Sequence, residues 1–165
     1  CEVTRWLQQM PEYRFIQYSP ELTDGMADNV SLRKASILDF KRQLWRSKGV
    51  ICNSGFELIS ECLQLGKPVL TKPLLNQVEQ LSNALALEQL GYASVMYSLD
   101  KAQAKHWLAT AFQSQGVNYP DVADTLATWI SSGMQEDITD LAAALWMPSK
   151  QKLTGQTESS WSKVA

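Results

Sequence analysis

The chain has 165 residues, 45% of them apolar, and a formal net charge of −2, which suits one globular domain with a real core. The near-neutral balance leaves no electrostatic footprint for nucleic acid, and no run approaches the roughly 18 apolar residues that a membrane span requires. Three cysteines, Cys1, Cys52 and Cys62, follow neither a disulfide framework nor a metal-ligand spacing; with no secretory signal visible, the expectation is a cytoplasmic protein with free thiols.

A helical pattern begins almost at once through Val3, Trp6, Leu7 and Met10. Tyr13 to Tyr18 alternates enough for a strand and gives way to a polar turn through Pro20, Asp24 and Gly25. Val30 to Ala35 reads as a further short strand, polar enough to suit a place nearer the sheet edge. A helix from Leu38 to Ser47 carries Phe40, Leu44 and Trp45 as its apolar residues, with Lys41, Arg42 and Arg46 turned outward as a solvated face.

The stretch from Val50 to Ala93 organises the rest. Its opening apolar run, Gly49 to Cys52, reads as a buried strand, followed by a tight turn at Asn53-Ser54-Gly55 and an amphipathic helix. Ser54 with Glu57 three residues later has the form of a capping box, so the helix is expected to start at this turn and leave free N–H groups around Gly55, Phe56 and Glu57. Gly55 has no β-carbon, which lets an anion approach that backbone. Gly66 suits the C-terminal cap and Pro68 prevents continuation. A second apolar strand spans Pro68 to Thr71. Asn76 with Glu79 repeats the start signal, and Val78, Leu81, Leu85 and Leu90 carry a longer helix to Gly91. Cys52 and Cys62 fall on apolar faces and read as small core residues.

Ala93 to Tyr97 is another apolar strand, after which Ser98 or Asp100 caps a helix reaching Phe112. The one histidine, His106, lies inside that helix and reads as a surface or packing residue rather than a catalytic base. Tyr119-Pro120 breaks the chain before two more helical patterns, Val122 to Ser131 and Asp137 to Trp146, with Asp121 and Glu136 near their starts. From Pro148 onward the sequence is polar and weakly patterned, so residues 1–147 are expected to form one domain and 148–165 a loose tail.

Strands alternating with helices over short connections predict an α/β, Rossmann-like parallel sheet with helices on both faces and extra C-terminal helices. In such sheets ligands sit beyond the carboxyl ends of the strands, here the Asn53 to Glu57 turn and the Pro73 to Gln80 loop. Glu61, Glu79 and Gln80 bring side chains suited to sugar hydroxyls, and Asn83 shares a helix face with Gln80. Each residue has a simpler reading as well: capping alone favours Ser54 and Asn76 by about 1 kcal/mol, and an exposed glutamate needs no function. No nucleophile elbow, phosphate-binding Gly-Lys-Ser/Thr loop or metal-ligand cluster is present, so no metal, cofactor or covalent catalytic residue is expected.

The order G-x-x-x-x-x-E, G-x-P, P, then E-Q-x-x-N-A, within residues 10 to 97, resembles the carboxyl-terminal half of the GT-B glycosyltransferases. It looks closest to bacterial enzymes related to the N-acetylglucosaminyltransferase of peptidoglycan synthesis. That resemblance implies that Ser54, Gly55, Phe56 and Glu57 receive a donor diphosphate, Glu61 the ribose hydroxyls, and Glu79 and Gln80 the donor sugar. Ile37 matches the position whose backbone meets uracil, and Asn53 stands where plant-type members carry a histidine. It also implies a UDP-sugar donor, an unknown acceptor, and a catalytic base on an amino-terminal acceptor domain. In the family a strand precedes the first helix and forms the middle of the sheet; that strand is missing here, and the expectation is a carboxyl-terminal piece of a chain roughly twice as long. Such a piece would bind and not turn over, while the full-length protein could associate peripherally with a membrane. Three other readings stay open: a sugar-nucleotide 2-epimerase, a non-catalytic nucleotide-binding subunit docked on an acceptor-binding partner, and a domain that has lost ligand binding.

Overall fold

The computed structural model describes residues 1–111 and 119–146, and the chain divides into two compact units, Cys1–Asn118 and Tyr119–Ala165. In the first unit the elements run α1 (Glu2–Gln8), β1 (Phe15–Ser19), β2 (Gly25–Ala27), β3 (Val30–Lys34), α2 (Ile37–Arg46), β4 (Val50–Asn53), α3 (Phe56–Gln64), β5 (Val69–Lys72), α4 (Val78–Gln89), β6 (Ser94–Val95) and α5 (Lys101–Thr110). The strands form two three-stranded sheets, ordered β1-β3-β2 and β4-β5-β6. Every pair is parallel except β2 with β3. The architecture is the expected Rossmann-like α/β arrangement: α3 and α4 carry the crossovers between the parallel strands β4, β5 and β6, whereas β1 reaches its parallel neighbour β3 through the short antiparallel strand β2. β1 and β4 each pair on one side only, and no described element supplies a strand between them.

Strand alternation divides the core into two layers. Ile51 and Leu70 face a cluster built by Trp6, Leu7 and Met10 at α1 and Ala104, Trp107 and Leu108 on α5. That cluster also takes Val30, with Phe15 and Leu32 packed against it, so one helical layer covers both sheets. Val50, Cys52 and Val69 face the opposite way, onto Leu44 of α2 and Ile59, Cys62 and Leu63 of α3, with Leu87 of α4 alongside. Burying a side chain such as Leu70, which is 0% exposed, contributes about 1.5–3 kcal/mol.

Two helix ends follow the glycine signals. Gly66 and Gly91 adopt φ of 64° and 69°, and after each the next amide reaches back to the carbonyl five residues earlier, Lys67 to Cys62 at 2.8 Å and Tyr92 to Leu87 at 2.9 Å. This is the Schellman arrangement, in which a left-handed residue lets the last carbonyls find donors.

Other expectations give way. Gly25 belongs to a short strand and not to the turn before it: β2 pairs antiparallel with Val30, Ser31 and Leu32. β3 therefore lies in the middle of its sheet, not near an edge, and its polarity comes from Ser31 and Arg33 alternating with inward Val30 and Leu32. Asn29, which precedes β3, spreads its amide over the carbonyls of Leu7, Met10 and Tyr13 at 3.0–3.2 Å, fixing α1 against the sheet. On α1 the inner position falls to Thr4, bonded to Gln17 at 2.8 Å, while Val3 is exposed. On α2, Leu44 is buried and Trp45 exposed. The α4 stripe reverses: Val78, Leu81, Leu85 and Leu90 are all exposed, and Ala84 with Leu87 makes the inward face. Small Ala84 lets the helix lie close to the sheet, so the larger leucines are left outside.

In the second unit, α6 (Val122–Ser131) and α7 (Ile138–Trp146) occupy the predicted places. Asp121 caps α6 through the Asp124 amide at 2.9 Å, and Trp129 closes the connection by donating to the Glu136 carbonyl at 2.8 Å. Phe112, named as the end of the preceding helix, and the tail from Pro148 lie outside the described residues.

Candidate functional site

Parallel pairing sets Cys52 beside Thr71 and Asn53 beside Lys72, so β4 and β5 end at one rim. From that rim Ser54 and Gly55 lead into α3, and residues 73–77 lead into α4. Neither expected capping box forms. The N-cap of α3 is Gly55 and that of α4 is Gln77, and no side chain caps either helix. α2, beginning after Ser36, is likewise uncapped. By contrast Asp100 caps α5 through the amides of Ala102 and Gln103.

The physical reason lies in where Ser54 is drawn. Its side chain is 0% exposed and lies 2.9 Å from the Thr71 hydroxyl. Thr71 directs its own proton to the Cys52 carbonyl at 3.2 Å, so Ser54 is the donor within the pair. The hydroxyl is turned onto this buried partner and away from the α3 amides, from which a capping oxygen would have to accept. Asn76, for its part, sits at φ 64°, in the turn before Gln77, and its side chain does not reach the α4 amides.

The tip of α3 is therefore open. The first amides of a helix have no partner within it, and those of Phe56, Glu57 and Leu58 follow Gly55 with no side-chain substitute. Phe56 is 71% exposed and Glu57 is exposed. Gly55 has φ −74° and ψ 145°, a conformation open to any residue. A β-carbon built there meets nothing within 4 Å. Neither backbone conformation nor packing calls for glycine, and the space above it is clear for a group arriving from outside. Unpaired amides and the helix dipole favour negative charge at such a tip.

The remaining sequence-selected residues are placed as follows. Asn83 donates its amide to the Ser54 carbonyl at 3.0 Å, which joins α4 to the turn. Gln80 turns its carbonyl oxygen back to the Leu74 amide at 3.0 Å, leaving its two N–H donors for other acceptors. Glu61 is exposed on α3, 3.9 Å from Lys41 of α2. Glu79 and Asn53 are exposed, and among the described residues no hydrogen bond or ion pair ties their side chains to the others. Ile37 opens α2 and is 76% exposed.

Four residues were absent from the sequence expectation for the site. Thr71 braces Ser54; its signal was a hydroxyl inside an otherwise apolar run. Lys72, half-buried beside Asn53, has no carboxylate partner among the described residues. At the end of β1, Tyr18 donates to Asp39 in the first turn of α2. That bond holds the Asp39 carboxyl below its usual range, while burial and then the Asp39 acceptor push Tyr18 up to about 12. Cys52 and Cys62 offer no nucleophile: burial pushes them up to about 12 and about 11, so both stay protonated at neutral pH. Among the described residues no group of three or more His, Cys, Asp or Glu could hold a metal ion, and no helix is long and apolar enough to cross a membrane.

A family model described as glycosyl transferase family 1 matches residues 2–111, more than half of the chain. No curated protein matches it.

Proposed function

The chain belongs to glycosyl transferase family 1, and from that premise we propose that the Cys1–Asn118 unit is the donor-binding half of an enzyme transferring a GlcNAc-like sugar from a UDP-sugar. The donor diphosphate lies over Gly55 against the amides of Phe56, Glu57 and Leu58, where it takes up charge as the sugar–oxygen bond breaks. Glu61 accepts from the ribose hydroxyls, Glu79 and Gln80 hold the sugar, and the backbone at Ile37 meets the base. Asn53 lines the rim, and Lys72 beside it adds the positive charge that an asparagine lacks. Acceptor and catalytic base belong to a separate amino-terminal domain, so the unit binds donor without turnover.

The observation that carries this reading is Gly55, a glycine that neither packing nor a left-handed backbone demands, at the start of an exposed helix without a side-chain cap on the carboxyl rim of a parallel sheet. Calorimetric titration with UDP, GDP and their sugars tests it. Saturable binding of UDP and its sugar in preference to the guanosine compounds is expected. An absence of binding by all of them removes the donor site.

A further inference from the structure

Resting on the donor site proposed above, we infer that Thr71 and Asn83 are positioning residues that fix the diphosphate cradle and couple it to the sugar-side helix. Thr71 is closed off from any ligand, and Asn83 is tied to the turn through one of its N–H groups. Thr71 is 0% exposed and bonds Ser54 from beneath, and Asn83 spends its amide on the Ser54 carbonyl. Ser54 is thereby held at both its side chain and its carbonyl, by two different elements. One residue separates this fixed point from the first free amide of α3, and that residue is Gly55, around whose Cβ position nothing packs. The aim of the cradle therefore depends on how firmly Ser54 is held. Asn83 lies one helical turn beyond Glu79 and Gln80 on α4, so the bond that steadies the cradle also sets the sugar-side residues relative to it. Losing either bond lets the turn sample other orientations while strands and helices persist, since the rest of the core does not run through these two groups.

The test combines backbone amide exchange with UDP titration for Thr71→Val, Thr71→Ser and Asn83→Ala. Thr71→Val keeps the shape and loses the hydroxyl, whereas Thr71→Ser keeps the hydroxyl. Faster exchange of about tenfold is expected for Thr71→Val and Asn83→Ala at Ile59 and Ser60, the first amides after the turn that have acceptors within α3, with β1 and β3 unchanged, as loss of one buried hydrogen bond implies. UDP affinity falls by a similar factor, and Thr71→Ser restores both. Unchanged exchange at these two amides, or a Thr71→Ser variant as damaged as Thr71→Val, overturns the inference. If wild-type protein binds no UDP, the donor-site reading fails, and the exchange data alone decide whether the brace exists.

Discussion

Lys41 on α2 holds its ammonium 3.9 Å from the Glu61 carboxylate on α3, with the two side chains 64% and 46% exposed. A pair so open to solvent contributes little to stability, of order 0–1 kcal/mol. Glu61→Ala is therefore expected to leave the melting temperature nearly unchanged, yet to weaken UDP binding by about 1–3 kcal/mol if the carboxylate holds the ribose. Unchanged UDP affinity in the folded variant takes Glu61 out of the site.

Glu57 should respond in the opposite direction. Its exposed carboxylate occupies the second position of α3, where it complements the helix dipole but repels a diphosphate at the same tip. Glu57→Gln is expected to tighten UDP binding several-fold, most clearly at low salt, where screening is weakest. A loss of affinity would mean that the Glu57 side chain is itself a ligand contact.

The Tyr18–Asp39 bond makes stability depend on pH at both ends of the range. Asp39 is lowered in the fold chiefly by the Tyr18 hydroxyl, so its contribution is present above the unfolded carboxyl value and is lost as pH falls through the lower folded one. Tyr18 is raised from 10.0 to about 12; its contribution is complete below the unfolded value and disappears as pH rises toward the folded one. Urea midpoints of wild-type and Tyr18→Phe proteins should differ most near neutrality and converge at both extremes. A gap independent of pH contradicts this.

Thiol labelling at neutral pH should modify Cys1 promptly and spare the other two cysteines until the protein unfolds. Cys1 is exposed and Cys62 buried. Cys52 and Cys62 have both been pushed far above neutral pH by burial. Three equal labelling rates would show that the α3 side of the core opens readily.

How much of this could be read beforehand depended on the range of the forces involved. The glycine stops at Gly66 and Gly91 were legible because a left-handed cap is a local demand, and so were the strand, turn and helix around Ser54. The direction of the Ser54 hydroxyl was not: its partner, Thr71, is 17 residues away, and tertiary burial outweighed the local capping pattern. The same applies to α4, where the spacing of Val78, Leu81 and Leu85 marked a helix but not which side faced the sheet. β2 was missed because three residues of strand leave almost no periodic signal, and its pairing with β3 moved the expected edge inward.

The donor cradle is tested most directly by UDP titration of wild-type and Gly55→Val proteins with their melting temperatures measured in parallel. A β-carbon at position 55 meets no protein atom within 4 Å, so the variant should fold with a stability loss of about 1 kcal/mol, the usual cost of a poor N-cap residue. The prediction is that wild-type protein binds UDP and the variant binds it at least about tenfold more weakly, because the side chain fills the space above the amides. Equal affinity in the two proteins would contradict it.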